Sequence, residues 1–210
     1  TEFIAMASHE LRTPLAIMKT LLSNLMAGIK GPVTSEQHIA LQELVNDINR
    51  FSRTINELLN ISRIESGQMT IYREPIDLKG LILKVIQTLS NTIEKRKITI
   101  ETHCDENLPA ALCDQDKTTQ IFLNIIDNAV KYIQEGGHVT INVVVDKDRL
   151  QIDVADNGPG IPADQLPIIF EKFKKVATTS KKMEGLGLGL AIVRNLVEMH
   201  TTDAACRCDR

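Results

Sequence analysis

Apolar residues return every three or four positions along the first sixty residues, in two stretches separated by a turn. The apolar positions of the first stretch are Ile4, Ala7, Leu11, Leu15, Met18, Leu22, Leu25 and Ile29. Those of the second stretch are Leu41, Leu44, Ile48, Phe51, Ile55 and Leu58. This spacing places each set on one face of an α-helix, as helices packed side by side require. The pattern therefore predicts two long helices in an antiparallel hairpin.

The turn between the two helices and one proline in the first helix add detail to the predicted hairpin. Thr34 and Gln37 have the spacing of a capping box at the start of the second helix. Pro14 lies where two steps of four interrupt the first stripe, and it predicts a bend in that helix. Two helices alone cannot cover both stripes, so we expect a second copy of the chain to complete a four-helix bundle. A coiled-coil spacer would explain the stripes equally well, but not the interruption at Pro14.

Strands and helices alternate after Gly67, which ends the hairpin and predicts domains over residues 1–67 and 68–210. We predict strands in QMTIYRE, KITIETH, HVTINVVV and RLQIDVA, and helices over residues 78–95 and 117–134. The last two strands alternate apolar and polar residues, so one sheet face should pack on helices and the other should face water. The predicted fold class is α+β, with a helical hairpin followed by layered strands and helices.

Composition narrows the classes of partner. The 210 residues are 43% hydrophobic, enough for a buried core, and the formal net charge is -3. With no block of lysine and arginine, we expect no nucleic-acid partner. No apolar run approaches the ~18 residues of a membrane-spanning helix, and the beginning of the sequence does not resemble a secretory signal. The cysteines, Cys104, Cys113, Cys206 and Cys208, lack the CxxC spacing of a zinc site and suit the reducing cytoplasm.

His9 is the first candidate for chemistry. It lies two positions from both Ala7 and Leu11, which turns it about 200° from the apolar stripe, so we expect it to face water. Glu10 is its neighbour, and Thr13 lies one turn further along the same face. A zinc protease of the HExxH class is excluded, because Thr13 stands where the second histidine is required. An exposed histidine without a function is the simpler alternative.

The predicted helix over residues 117–134 has two contrasting faces. Its apolar residues are Phe122, Ile125, Ile126, Ala129, Val130 and Ile133. Asn124, Asn128, Lys131 and Tyr132 form a polar line along another face. Carboxamide oxygens suit Mg²⁺, an ammonium suits phosphate, and an aromatic ring can lie near a base. The line indicates a site for a metal-bound polyphosphate, with an ordinary solvated surface as the alternative.

Two glycine-containing segments are further candidates. In DNGPGIP, the Asp156 carboxylate follows a strand and could accept a hydrogen bond from an exocyclic amine, while Gly158 and Gly160 allow close approach to a flat ring. In GLGLGL, three glycines precede an apolar helix, whose amides and dipole attract anions. Each segment alone could be a turn. The second follows a polar stretch rather than the strand of a Rossmann motif, and the sequence contains no GxxxxGK[ST] loop.

In order and spacing, the segments FIAMASHELRTPL, NIIDNAVKY, DNGPGIP, FEKF and GLGLGLAIV closely resemble the H, N, G1, F and G2 boxes of bacterial sensor histidine kinases of two-component systems. The resemblance covers residues 1–200, and Asp116 falls in the run that usually precedes the N box. The ATP-site boxes alone would also fit gyrase-like ATPases, whereas the first box is typical of the kinases. The resemblance implies a dimeric four-helix bundle followed by an α/β sandwich of the Bergerat type that binds ATP.

The resemblance also implies the chemistry of the first domain. His9 would attack the γ-phosphate of ATP, and the phosphoryl group would pass to an aspartate on a response-regulator receiver domain. Glu10 is similar to the family's base, and Thr13 to the residue that orients a water for phosphatase activity. These implications describe a cytoplasmic homodimer, attached to a membrane only through segments outside this chain.

For the second domain, the resemblance implies a site for ATP and Mg²⁺. Asn128 would ligate Mg²⁺, Asn124 and Lys131 would hold phosphates, and Asp156 would read the adenine amine. The other residues implied to contact the nucleotide are Tyr132, Gly158, Gly160, Ile161, Phe173, Gly185, Leu186, Gly187, Leu188 and Gly189. Phe170, together with Phe173, would anchor the base of a mobile loop over the site.

The sequence departs from the family after His200. The family continues with two glycines and two strands, whereas TTDAACRCDR has no glycine and no alternation, so we do not expect those strands there. Their loss would expose a sheet edge. The alternative function is therefore a dimerisation and phosphotransfer scaffold with an incomplete ATP domain. A serine-directed kinase with the same ATP fold would not explain the first box.

Overall fold

The computed structural model describes residues 2–105, 108–147, 149–175 and 185–200, with side chains from residue 10 onward. The chain divides into two compact units, residues 1–69 and residues 70–210. The first unit is helical and the second combines helices with strands, so the predicted α+β class is confirmed. Within the described residues, no helix is long and apolar enough to cross a membrane.

The first unit is a hairpin of α1 (Glu2–Met26) and α2 (Ser35–Glu65). The predicted capping box is confirmed, because the Thr34 N–H donates to Gln37 Oε1 at 2.9 Å and the Gln37 N–H donates to Thr34 Oγ1 at 3.2 Å. Arg12 Nη2 donates to Asn56 Oδ1 at 3.4 Å. This contact joins the first half of α1 to the second half of α2, so the helices are antiparallel.

The apolar stripes of the hairpin are only partly buried within the chain. Leu15, Ile55 and Ile61 are buried. Five other stripe residues expose 43–53% of their surface, and these are Leu11, Met18, Leu44, Phe51 and Leu58. Ile29, predicted at the end of the first stripe, instead lies in the turn after α1 and is 66% exposed. The hairpin therefore carries apolar surface that its own two helices do not cover.

The second unit contains two small sheets. In the first, β1 (Glu74–Ile76) pairs antiparallel with β3 (Ala111–Cys113). In the second, β4 (His138–Asp146) lies between β2 (Thr99–Cys104), which is parallel to it, and β5 (Arg149–Asp156), which is antiparallel. The parallel pair requires a long crossover, and that crossover includes α5 (Gln115–Tyr132).

Helices cover one face of the larger sheet. They are α3 (Leu78–Thr88), α4 (Ser90–Lys95) and α5, and α6 (Gly189–His200) packs on α5. The largest fully buried side chains are Ile82, Ile126, Ile133, Ile141, Leu188, Ile192 and Leu196. Along β4, Val139, Ile141 and Val143 are buried and alternate with the more exposed Thr140 and Asn142. The prediction that one sheet face packs on helices while the other faces water is therefore confirmed.

Two predictions for this unit were wrong in detail, and one strand was not predicted. The strand predicted in QMTIYRE is absent over residues 68–73, where the Tyr72 N–H donates to Asp114 Oδ2 at 3.0 Å instead of joining a strand. The helix predicted over residues 78–95 is divided at Leu89, whose backbone leaves the helical conformation. The three-residue strand β3 was not predicted, because so short a run has no measurable alternation.

Some predictions fall on residues that the structure does not describe. These are the part of the predicted mobile loop over residues 176–184, the unusual tail over residues 201–210, and the side chain of His9. Among the described cysteines, Cys104 and Cys113 are free thiols.

Candidate functional site

The polar line predicted on the N-box helix lies on α5. Asp114 caps this helix, because its Oδ1 accepts a hydrogen bond from the Lys117 N–H at 3.0 Å. The opposite face anchors the helix through Ile121, Phe122, Ile126, Ala129 and Val130, all of which are buried. Asn124, Asn128 and Lys131 are half-buried, and Tyr132 is 43% exposed. The helix therefore presents two carboxamides and an ammonium from a fixed backbone.

The glycine segment, residues 185–189, lies beside this polar face. Asn124 Nδ2 donates to the Gly189 carbonyl at 3.4 Å. A Cβ atom placed on Gly185 would lie 3.9 Å from Lys131 Nζ. The segment therefore passes both ends of the predicted polar line, which brings together residues that are about sixty positions apart in the chain.

The backbone of the glycine segment requires glycine at one position in particular. Gly187 has φ +71°, and a Cβ atom there would lie 2.4 Å from the Lys174 carbonyl oxygen. The Gly187 carbonyl in turn accepts a hydrogen bond from the Phe173 N–H at 3.0 Å. Two residues later α6 begins, so the first amides of that helix and its dipole give this end a positive potential. The segment can therefore attract an anion.

The DNGPGIP segment begins at the end of β5. Asp156 Oδ1 accepts a hydrogen bond from the Gly158 N–H at 2.8 Å, which orients an otherwise exposed carboxylate. A Cβ atom on Gly158 would lie 2.6 Å from that oxygen and 3.3 Å from Ile133 Cγ2. Because Ile133 directly follows α5, the carboxylate lies near the end of the helix that carries Lys131. An exposed, oriented carboxylate can accept a hydrogen bond from an amine.

Two residues that support the site were not predicted from the sequence. Asn157 Oδ1 accepts a hydrogen bond from the His138 N–H at 2.8 Å and so ties the DNGPGIP segment to β4. The Arg96 guanidinium donates to the carbonyls of Val130 and Ile133 and fixes the end of α5. An arginine ahead of a strand gives no sequence signal for such a contact.

Tyr132 is the last residue of α5 and ends the polar line. Lys131 Nζ lies 5.8 Å from the centroid of its ring, within the range of a cation–π contact. Burial, and then the negative charge of Asp127, raise the pKa of the Tyr132 hydroxyl above its ordinary value. The hydroxyl therefore stays protonated and can donate a hydrogen bond.

The remaining predicted residues have different surroundings. Phe173 is 60% exposed and has φ +63°, so its backbone rather than its ring contacts the glycine segment. Leu188 is fully buried, so only its backbone faces the site. Ile161 and Phe170 are half-buried. Within the described parts of the chain, no group of three or more His, Cys, Asp or Glu side chains could hold a metal ion.

The three candidate catalytic residues of the first unit lie in the first half of α1. His9 belongs to that helix, and Glu10 and Thr13 follow on it as exposed residues. The helix therefore carries all three predicted residues within little more than one turn.

Two protein-family models match the chain. Residues 1–67 match the His Kinase A (phospho-acceptor) domain. Residues 113–209 match the histidine kinase-, DNA gyrase B- and HSP90-like ATPase family. The first match covers α1 and α2, and the second covers the polar line, the DNGPGIP segment and the glycine segment.

Curated and solved proteins give the same assignment. The sensor histidine kinase WalK of Bacillus subtilis is 37% identical over 96% of this chain and 33% of its own length. The crystal structure of full-length ShkA in complex with AMPPNP has 31% identity and a TM-score of 0.76 over 94% of this chain and 41% of that one. The mycobacterial sensor histidine kinase MprB has 31% identity and a TM-score of 0.51 over 59% of this chain and 79% of that one. This chain thus spans about a third of the length of WalK and about half of the length of the adaptive-response sensory kinase SasA of Crocosphaera subtropica.

Proposed function

Because the chain belongs to the sensor histidine kinases of two-component systems, we propose that it transfers the γ-phosphoryl group of ATP to His9. From His9 the group passes to an aspartate on a response-regulator receiver domain. The observation that carries this proposal is the approach of the glycine segment to the polar line of α5, through Asn124 and Gly189 at one end and Lys131 and Gly185 at the other.

The nucleotide lies between these two elements. Lys131 and Asn124 contact its phosphates, together with the amides at the start of α6, because an ammonium, a carboxamide and a helix N-terminus all stabilise anionic oxygens. Asp156 accepts a hydrogen bond from the adenine amine. Tyr132 and Ile161 line the nucleotide. The family match over residues 113–209 and the complex of ShkA with AMPPNP support this placement.

Mg²⁺ fits the donor set of this site through Asn128. The Asn128 carboxamide is half-buried one turn beyond Asn124, and its oxygen is the kind of hard ligand that Mg²⁺ prefers. Mg²⁺ keeps several waters and usually takes one or two protein ligands beside the substrate phosphates, which suits a site without a described acidic cluster. When bound, the ion neutralises charge on the phosphate oxygens.

The transfer itself is a displacement at phosphorus. One imidazole nitrogen of His9 bonds to the γ-phosphorus, and the bond between that phosphorus and the bridging oxygen of ADP breaks. The proton on the other imidazole nitrogen passes to Glu10, which leaves an uncharged imidazole ring bonded to the anionic phosphoryl group, and ADP is the leaving group. Because such a transition state is loose, alignment and charge stabilisation by the protein dominate the rate.

A homodimer follows from the surface of the hairpin. The exposed stripe residues, among them Leu44, Phe51 and Leu58, are contiguous with the buried Ile55 along one face of α2. Packing against a second hairpin buries this face and makes a four-helix bundle.

Thr13 orients a water against the phosphorylated regulator, which gives the chain phosphatase activity as a second output. The ATP substrate and the free thiols of Cys104 and Cys113 suit the cytoplasm.

An assay with radiolabelled ATP tests the proposal. The purified chain is incubated with γ-labelled ATP and Mg²⁺, and the protein-bound label is then exposed to acid and to base. We expect a label that is lost in acid, stable in base and absent from His9→Gln. The control is His38→Gln, which removes an exposed histidine from α2 in the same unit.

Two other results would contradict the kinase proposal. An acid-stable label would indicate a serine-directed kinase. A dimer that binds no nucleotide and acquires no label would favour the alternative of a phosphotransfer scaffold with an incomplete ATP domain.

A further inference from the structure

Two helices of the proposed nucleotide site, α5 and α6, pack against each other with the start of one beside the end of the other. At one end, Asn124 contacts Gly189, the first residue of α6. At the other end, the Asp114 N–H, just before α5, donates to His200 Nε2 at 3.0 Å. Since α6 has 12 residues, the two contacts are separated by the ~18 Å that such a helix spans. The axial position of α6 is therefore fixed at both ends.

The ring of His200 is held in one tautomer. Its Nε2 accepts the Asp114 N–H, so the ring proton must lie on Nδ1. Nδ1 then donates to the Leu196 carbonyl, which lies 2.7 Å away. A neutral imidazole satisfies both contacts, one as an acceptor and one as a donor.

Asp114 is the junction of this cluster. It is 7% exposed, and its carboxylate accepts hydrogen bonds from the N–H groups of Lys117 and Tyr72, each at 3.0 Å. Burial acts to raise the pKa of this carboxyl, but the two backbone hydrogen bonds and the charge of Lys117 hold it below its ordinary value. Asp114 therefore stays ionised and joins the start of α5 to residue 72.

Arg73 completes the cluster. Its Nη2 donates to the carbonyls of Met199 at 3.2 Å and His200 at 2.9 Å. These are carbonyls of the last turn of α6, where a helix lacks internal donors and where a positive charge is favourable. Arg73 lies in the segment by which the chain enters the second unit, directly before β1. That entering segment is thereby attached to the end of α6.

We propose that Arg73, Asp114 and His200, here called the clasp, are positioning residues that set the nucleotide affinity from the far end of α6. This inference rests on the proposed function. Because a helix moves as a rigid body, a slide at its clasped end displaces the glycine segment relative to Lys131 and Asn124. The clasp therefore makes nucleotide affinity depend on the path of the entering segment, and a shift of that segment is passed along α6 to the phosphates.

Binding of AMPPNP with Mg²⁺, measured by calorimetry on the full 210-residue chain, tests this role. We expect Arg73→Ala to raise the Kd at least about fivefold, the lower end of couplings measured between distant sites. Arg73→Lys should recover most of the affinity, because an ammonium can also donate to two carbonyls. His200→Phe keeps an aromatic ring but removes both hydrogen bonds, so it should raise the Kd similarly even if Arg73→Ala does not fold.

Two control variants separate positioning from stability. Arg194→Ala removes another arginine of α6, one paired with Glu198 on the same helix, and should leave the Kd within twofold. Val85→Ala opens space in the core beneath α3 and should lower the Tm without raising the Kd.

The inference is overturned if Arg73→Ala and His200→Phe bind AMPPNP as the wild type does. It is also overturned if Val85→Ala raises the Kd as much as they do at an equal loss of Tm, because the clasp would then be structural only. A wild-type chain that binds no AMPPNP contradicts the proposed function itself, which distinguishes the two failures.

Discussion

Gly187→Ala is the substitution whose effect the structure defines most sharply. An alanine at φ +71° costs about 1–2 kcal/mol in backbone strain. The new Cβ atom would also lie 2.4 Å from the Lys174 carbonyl oxygen, a backbone atom that cannot rotate away. To relieve that contact, the chain must give up the hydrogen bond from the Phe173 N–H to the Gly187 carbonyl, worth about 0.5–1.5 kcal/mol.

Together these terms predict a loss of about 2–3 kcal/mol in the free energy of unfolding of the second unit. For a unit of this size, thermal unfolding should show a fall in Tm of about 4–10 °C. Because the displaced backbone is the one proposed to face the phosphates, the Kd for AMPPNP should rise at least about tenfold, the equivalent of 1.4 kcal/mol.

Gly136→Ala is the matched control for this prediction. Gly136 has φ +76°, nearly the same conformation as Gly187, but nothing lies within 4 Å of the position that a Cβ atom would occupy there. We therefore expect Gly136→Ala to cost only the backbone strain. Its loss of Tm should be about half that of Gly187→Ala, and its Kd for AMPPNP should not change. The reasoning is refuted if the two variants lose equal stability, or if Gly187→Ala retains the Tm and Kd of the wild type.

Three further predictions concern other parts of the chain. The folded-state pKa of Asp114 lies below its unfolded value of 3.8, so its carboxylate stabilises the fold above that pH and the contribution is lost as the pH falls through the folded value. Urea unfolding of Asp114→Asn should therefore depend less on pH than the wild type between about pH 5 and 2, and equal slopes would contradict this. Phe51→Glu should turn the dimer into a monomer in sedimentation velocity, whereas Gln42→Glu, at an exposed polar position of α2, should stay dimeric; a dimeric Phe51→Glu would remove Phe51 from the interface. Thr13→Ala should lose dephosphorylation of the receiver domain and keep autophosphorylation, and the reverse result would refute the role of Thr13.

The sequence predicts elements well where periodicity is long and unambiguous. α5 and α6 each have an apolar face that repeats with the helical period, and β4 alternates over its first six residues. QMTIYRE also alternates, yet residues 70–73 form no strand. There the Tyr72 N–H and the Arg73 guanidinium bind Asp114 and the end of α6, contacts that local patterning cannot show.

The residues of the candidate site also fall into those that the sequence predicted and those that it did not. Asn124, Lys131 and the glycine segment were predicted because each carries a recognisable residue type at a motif spacing, and the structure brings them together. Asp114 and His200 escaped prediction because their hydrogen bond spans 86 positions. The one available signal for Asp114 was its residue type, because an aspartate directly before a predicted helix suits the N-cap.

The proposed function requires a nucleotide to bind between the polar line of α5 and the glycine segment. Amide chemical shifts of the isotope-labelled chain, recorded during titration with AMPPNP and Mg²⁺, test it most directly. We expect saturable shifts concentrated in residues 185–189 and at Asn124, Asn128 and Lys131, with none at Glu101 and His103, which are exposed residues of β2. Saturation with shifts confined to β2, or no shifts at millimolar nucleotide, would contradict it.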